Sequence, residues 1–203
     1  MCLIVDYGLG NIGSIANMLK KVGVAATVSN NPNQIENASK IILPGVGAFD
    51  NGISNLHKSG IWESLNNAVI KNSAYILGIC LGMQLMTESS EEGKLPGLGW
   101  IKAKTVRFSF DVNSKIRIPH FGWNSVLIEK EMNLFKEFSG EIRFYFAHSY
   151  HILPDDTEQI SGTTKYGYEF VSAIQKKNIF GVQFHPEKSH KFGMKLLKNF
   201  SEL

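Results

Sequence analysis

Three short segments carry residue types that do chemistry. Gly78-Ile79-Cys80-Leu81-Gly82 sets a thiol between two glycines. Where a strand turns into a helix, this G-x-nucleophile-x-G pattern permits a sharp, strained turn that presents one side chain at the edge of a sheet. A helix start behind the sulfur favours the thiolate, which is the reactive form. His185-Pro186-Glu187 joins an imidazole to a carboxylate two residues on. In extended chain such residues share a face, and Pro186 stiffens the dipeptide by fixing φ. Base, orienting carboxylate and nucleophile are the parts of covalent catalysis. Pro44-Gly45-Val46-Gly47 adds closely spaced glycines, which let backbone N–H groups turn toward a developing oxyanion. Each segment also has a plainer reading. Free cysteine is among the most buried residue types, a His-Glu pair at a strand end is a surface ion pair, and a glycine-rich segment is a turn.

The elements that must position these residues follow from the apolar pattern. Leu3 to Val5, Val24 to Val28, Lys40 to Leu43 and Ala74 to Ile79 read as strands. Ile12 to Val22, Gly52 to Val69 and Leu81 to Thr87 read as helices between or after them. This alternation predicts an α/β fold with a doubly wound, mainly parallel sheet. After Ile101 the segments Thr105 to Phe110, Ser125 to Glu129, Ile142 to Ala147, Phe170 to Ile174 and Ile179 to Phe184 read as strands separated by turns. They predict antiparallel additions, and Leu196, Leu197 and Phe200 mark a closing helix. In such a sheet the carboxyl ends of parallel strands face one crevice. Gly45, Cys80 and His185 all follow strands, so the three segments are expected to converge there.

Gly8-Leu9-Gly10-Asn11-Ile12-Gly13 matches the G-x-G-x-x-G dinucleotide pattern letter for letter. That mechanism needs an acidic residue ~20 positions on for the ribose hydroxyls. The second strand ends instead in Ser29-Asn30-Asn31, and the next acid after Asp6 is Glu36. A tight glycine turn is the preferred reading.

Composition bounds the remaining classes. The 203 residues are 43% hydrophobic and 19% charged, which is globular and fits a single domain over 1–203. A net charge of +3 requires no nucleic-acid partner. The longest apolar stretch, Ala74 to Met86, falls short of the ~20 residues of a membrane span, and the first ten residues lack a secretory pattern. Cys2 and Cys80 form no multi-bridge framework, so a reducing, cytoplasmic setting is expected. The histidines show no metal-like spacing, and neither metal nor cofactor is assigned. The run Lys188, Lys191, Lys195 and Lys198 reads as a solvated helix face. Phe144, Tyr145 and Phe146 read as core.

Further segments join the first three in one resemblance. Val5-Asp6-Tyr7-Gly8 with Asn11, Pro44 to Phe49, Gly78 to Gln84, Pro119-His120-Phe121-Gly122-Trp123-Asn124, His148-Ser149-Tyr150 and Gln183 to Ser189 run the length of the chain. Together they resemble the class I (triad) glutamine amidotransferases, and within them the glutaminase subunits of imidazole glycerol phosphate synthase. The resemblance implies that Cys80 attacks the glutamine amide, His185 shuttles the proton and Glu187 holds the imidazole. It implies that Gly47, Gln84, Glu92, Ser149 and Tyr150 bind glutamine, and that Val46, Gly47 and Leu81 serve the oxyanion. It also implies a heterodimer in which ammonia passes to a (β/α)8-barrel cyclase, with Asn11, Trp123 and Lys188 at the interface. That cyclase makes imidazole glycerol phosphate and an aminoimidazole carboxamide ribotide in histidine biosynthesis. The segments Gly97 to Lys102, Phe108 to Lys115 and Tyr166 to Phe170 depart from the histidine-pathway pattern. Similar amidotransferases supply ammonia for sugar amidation in surface polysaccharides. A stand-alone cysteine hydrolase and a non-catalytic flavodoxin-like module are the other readings.

Overall fold

In the computed structural model, which describes residues 1–129 and 133–203, runs rich in Ile, Leu and Val form the central strands and amphipathic segments cover them. The strands are β1 (Cys2–Val5), β2 (Ala26–Ser29), β3 (Lys40–Leu43), β4 (Tyr75–Ile79), β5 (Ser89–Ser90), β6 (Ala103–Arg107) and β7 (His120–Ser125). After them come β8 (Leu127–Ile128), β9 (Arg143–His148), β10 (Tyr150–Pro154), β11 (Ile160–Tyr166), β12 (Tyr168–Lys176) and β13 (Ile179–Val182). The helices are α1 (Ile12–Lys21), α2 (Pro32–Glu36), α3 (Phe49–Lys58), α4 (Trp62–Asn66), α5 (Leu81–Leu85) and α6 (His190–Glu202).

The main sheet runs β2-β1-β3-β4-β13-β12-β10-β6-β5, and β11 adds beside β12. From β2 to β13 every pairing is parallel. From β13 to β6 the pairings are antiparallel, as the later strands predict. A separate antiparallel ribbon pairs β7 with β9. The order places β3, β4 and β13 side by side, so their carboxyl ends open at one edge. The chain turns to opposite sides of β1, toward β2 and toward β3, and such a switch point is where α/β sheets open a crevice.

Both faces of β1, β3, β4 and β13 are buried, with side chains alternating by the strand period of two, while β2 forms the exposed edge. Leu3, Val5, Ile41, Leu43 and Ile76 join the layer holding α3, α4 and α5. Cys2, Ile4, Ile42, Leu77 and Ile79 join the layer holding α1 and α6. Cys2 is a fully buried core residue.

The structure corrects the expected elements at several points. The helix predicted over Gly52 to Val69 divides into α3, α4 and a π-helical turn over Asn67–Lys71. Gly60 takes φ +70° and donates to the His57 carbonyl, which ends α3 in the left-handed turn that glycine favours. The helix predicted over Leu81 to Thr87 ends at Leu85. The strand predicted over Ser125 to Glu129 divides between β7 and β8. Strands β5, β10 and β11, all of β7 before Ser125, and helix α2 lie outside the expected elements.

Helix α6 lies so close to the turn at Pro186 that a Cβ on Gly193 would overlap the Pro186 carbonyl. Gly13, in α1, has open space around its Cβ position. Gly193→Ala should therefore destabilise the chain by ~1–3 kcal/mol through overpacking. Gly13→Ala should stabilise it by ~0.5–1 kcal/mol through reduced chain entropy. Urea unfolding of the two variants reads the opposite signs.

Candidate active site

Cys80 sits between β4 and α5 with φ +53° and ψ −110°, a strained conformation for a residue with a side chain. Neighbouring atoms hold it there. Its N–H donates to the Val182 carbonyl at 2.8 Å, and its carbonyl accepts from the N–H groups of Met83 and Gln84 at 3.1 and 3.2 Å. The flanking glycines are required by proximity. A Cβ on Gly78 would lie 2.7 Å from the Met83 nitrogen, and one on Gly82 would overlap the Leu43 carbonyl. A Cβ on Gly45 would lie 2.7 Å from the Gly82 nitrogen, so the Pro44–Gly47 segment presses directly on the elbow. The buried Tyr7 hydroxyl donates to the Pro44 carbonyl at 2.6 Å and anchors the start of that segment.

His185 follows β13, and its N–H donates to the Tyr145 carbonyl at 2.8 Å. The fully buried Ser189 fixes both chains, because its hydroxyl donates to the His185 carbonyl at 2.6 Å and accepts from the Tyr145 N–H at 3.0 Å. His185 Nδ1 and Glu187 Oε1 are 2.8 Å apart, with both side chains almost wholly buried. Asn11 Nδ2 donates to the same Oε1 at 2.8 Å. Burial opposes the imidazolium of His185, but the charge of a Cys80 thiolate and its hydrogen bond, followed by Glu187, outweigh burial and push its pKa up to about 10. Burial likewise opposes the Glu187 carboxylate, yet His185 and Asn11 hold it below the usual carboxylate range.

A cavity of about 640 Å³ opens over the elbow. It brings together Cys80, Leu81, His185, Val46, Gly47, Gln84, Glu92, Ser149, Tyr150, Asn11 and Lys188 from the expected set. Glu187 stands behind His185, and Trp123 lies outside the cavity lining, 40% exposed on β7. Gln84 Nε2 donates to the Tyr150 carbonyl and to Gln183 Oε1, both at 3.0 Å. Gln183 Nε2 in turn lies 3.6 Å from the Cys80 sulfur. Glu92 Oε2 accepts from the Phe49 N–H at 2.8 Å. Gly47 has φ +107° in an exposed segment with no atom near its Cβ position.

Several contributors escaped sequence reasoning. Asn11 was expected only at an interface, yet it bonds Glu187. Tyr7, Gln183 and Ser189 shape the site from behind. Gly10, inside the rejected dinucleotide pattern, takes φ +107° and would press a Cβ to within 2.7 Å of Pro44. That glycine therefore serves a close approach of chains. Phe144 and Phe146 are core, whereas Tyr145 is half-buried and carries the Lys188 ammonium 5.6 Å from its ring centre. The later lysines meet neighbours on the surface: Lys195 pairs with Glu137, and Lys198 with Glu202. Among the described residues no helix is long and apolar enough to cross a membrane.

Residues 3–202 match the family described as glutamine amidotransferase class-I, and the chain belongs to that family. Solved structures share its fold. One is described as a glutamine amidotransferase (TM-score 0.75, 18% identity, covering 98% of this chain and 97% of that one). Another is PurLQS from Thermotoga maritima (TM-score 0.73, 17% identity, covering 98% and 96%). Within the family the chain groups with subunits named HisH. It is 52% identical over 200 residues, 98% of each chain, to imidazole glycerol phosphate synthase subunit HisH 2 of Methanococcus maripaludis. It is 48% identical over 203 residues, the whole of both chains, to the subunit of that name from Pseudomonas aeruginosa.

The raised pKa of His185 sets a pH dependence. Because the folded value lies above the usual 6.5, its stabilising contribution is complete below pH 6.5 and is lost as pH rises toward about 10. Cys80→Ala removes the main stabiliser of the imidazolium, so burial should draw the His185 pKa down and the alkaline loss should shrink. Imidazole titration by NMR and urea midpoints between about pH 6 and 10 check both effects.

Proposed function

We propose that this chain is the glutaminase subunit of an imidazole glycerol phosphate synthase, releasing ammonia from L-glutamine for a (β/α)8-barrel cyclase subunit. The single observation that carries this reading is the meeting of Cys80 and His185 at one cavity, with Glu187 bonded to His185 from behind, in a chain of this family. In the proposed reaction the Cys80 sulfur attacks the side-chain amide carbon. The oxyanion is received by the Val46–Gly47 segment and the Leu81 N–H. His185 gives its proton to the departing nitrogen, ammonia leaves, and a thioester remains. Water, deprotonated by His185, then cleaves the thioester to glutamate and restores the thiol. Glu187 holds the imidazole and stabilises its charged form. Gln84, Glu92 and the Ser149–Tyr150 backbone hold the polar end of glutamine. No cofactor is required, and the setting is cytoplasmic.

The exposed Phe121 and Trp123 on β7, with Lys188 and Asn11 at the cavity mouth, give the cyclase its docking face.

Two outcomes test the proposal. Cys80→Ala should abolish product formation from glutamine in the reconstituted complex, while synthesis from added ammonium survives. Glutamate release by the wild-type chain should rise roughly 10²–10³-fold with the acceptor-loaded cyclase, the worth of one correctly aligned oxyanion donor. Full activity of the isolated chain would favour a stand-alone hydrolase.

A further inference from the structure

At the cavity wall, where His148 is part of the lining, two buried histidines from different strands are joined in a hydrogen-bonded chain that the triad does not use. His148, at the end of β9, has Nδ1 2.7 Å from the Tyr150 carbonyl and Nε2 3.0 Å from His120 Nδ1. His120, at the start of β7, has Nε2 3.1 Å from Asn124 Nδ2. Donor and acceptor roles follow from both ends of this chain. The Tyr150 carbonyl only accepts, so His148 Nδ1 carries a proton, and its Nε2 is free to accept from His120. At the other end, Asn124 Oδ1 accepts from the Ser125 N–H, which orients the amide so that Nδ2 donates to the Lys165 carbonyl and to His120 Nε2. His120 Nε2 must then accept, which leaves Nδ1 as the proton carrier. The two ends demand the same tautomers. Burial supports this by lowering the pKa of His120 to about 4 and that of His148 well below its ordinary value.

The Tyr150 carbonyl thus receives two bonds, from His148 and from Gln84. The neighbouring Ser149 carbonyl accepts from the Phe108 N–H at 3.0 Å. We propose that His120 and His148 are positioning residues: a relay with fixed tautomers that holds the Ser149–Tyr150 backbone in the geometry that receives the glutamine carboxylate. This rests on the glutaminase reading given above. The carboxylate is remote from the reacting amide, so the relay serves ground state and transition state alike. Its loss belongs in KM rather than in kcat.

The test has two parts. Long-range ¹H–¹⁵N spectra of the intact wild-type chain should show both His120 and His148 in the Nδ1–H form. An Nε2–H form of either would overturn the relay, whatever the activity. In the complex with the cyclase, His120→Phe should raise KM for glutamine about tenfold, the scale of one lost hydrogen bond, with kcat nearly unchanged. His120→Asn, whose amide N–H stands near the place of Nδ1–H, should recover most of that loss. A fall in kcat at unchanged KM, or failure of the Asn variant to do better than Phe, would contradict the proposal. Absence of glutamate release by the wild-type complex would instead sink the glutaminase reading, and the tautomers would still decide the relay.

Discussion

The close approach of three backbone segments at Cys80 is the constraint on which the rest of the site depends. The end of β4, the turn into α5 and the segment from Leu43 to Gly47 meet with no room for a side chain at Gly45, Gly78 or Gly82. That contact holds Cys80 at positive φ and presents its sulfur to the cavity, and local propensity alone would not maintain it. The strain is sustained by surrounding order: a nearly apolar sheet buried on both faces, and hydrogen bonds from the elbow to β13 and within α5.

The same sheet brings His185 to Cys80. β4 and β13 are adjacent and parallel, so residues about a hundred positions apart in sequence leave the sheet at the same edge. Asn11, delivered by β1, reaches across to Glu187, and Tyr7 from the same loop clasps Pro44. Four strand ends are thereby tied into one polar assembly over an apolar floor. A buried imidazole and carboxylate are costly in isolation, and here each is offset by the other and by a third group, Cys80 for His185 and Asn11 for Glu187.

How much was legible in the sequence follows from how each part is stabilised. β3, β4 and β13 were visible because they are short apolar runs ending in glycine, cysteine or histidine punctuation. The elbow was visible because its glycines are a steric necessity. The helix over Gly52 to Val69 was overextended because its apolar period continues past Gly60, and only the left-handed turn there shows the break. β11 was hidden by its polarity: Thr163 and Thr164 are buried, satisfied by Glu129 and Ser172 through side-chain bonds that a hydropathy pattern does not contain. β7 was read as a motif and not as a strand, since Gly122, at φ +120°, is a poor strand former and the apolar Phe121 and Trp123 lie on its exposed face. The Asn11–Glu187 and His120–His148 contacts are long-range pairings of common residues, and no local spacing announces them.

The most direct measurement of the central claim is the site of covalent capture by an electrophilic glutamine analogue, read by intact-mass spectrometry and peptide mapping of the chain with the proposed cyclase partner. A single adduct on Cys80, slowed by excess glutamine and absent from His185→Ala, is the result this account predicts. No adduct, or an adduct on the core residue Cys2 with Cys80 left free, would contradict it.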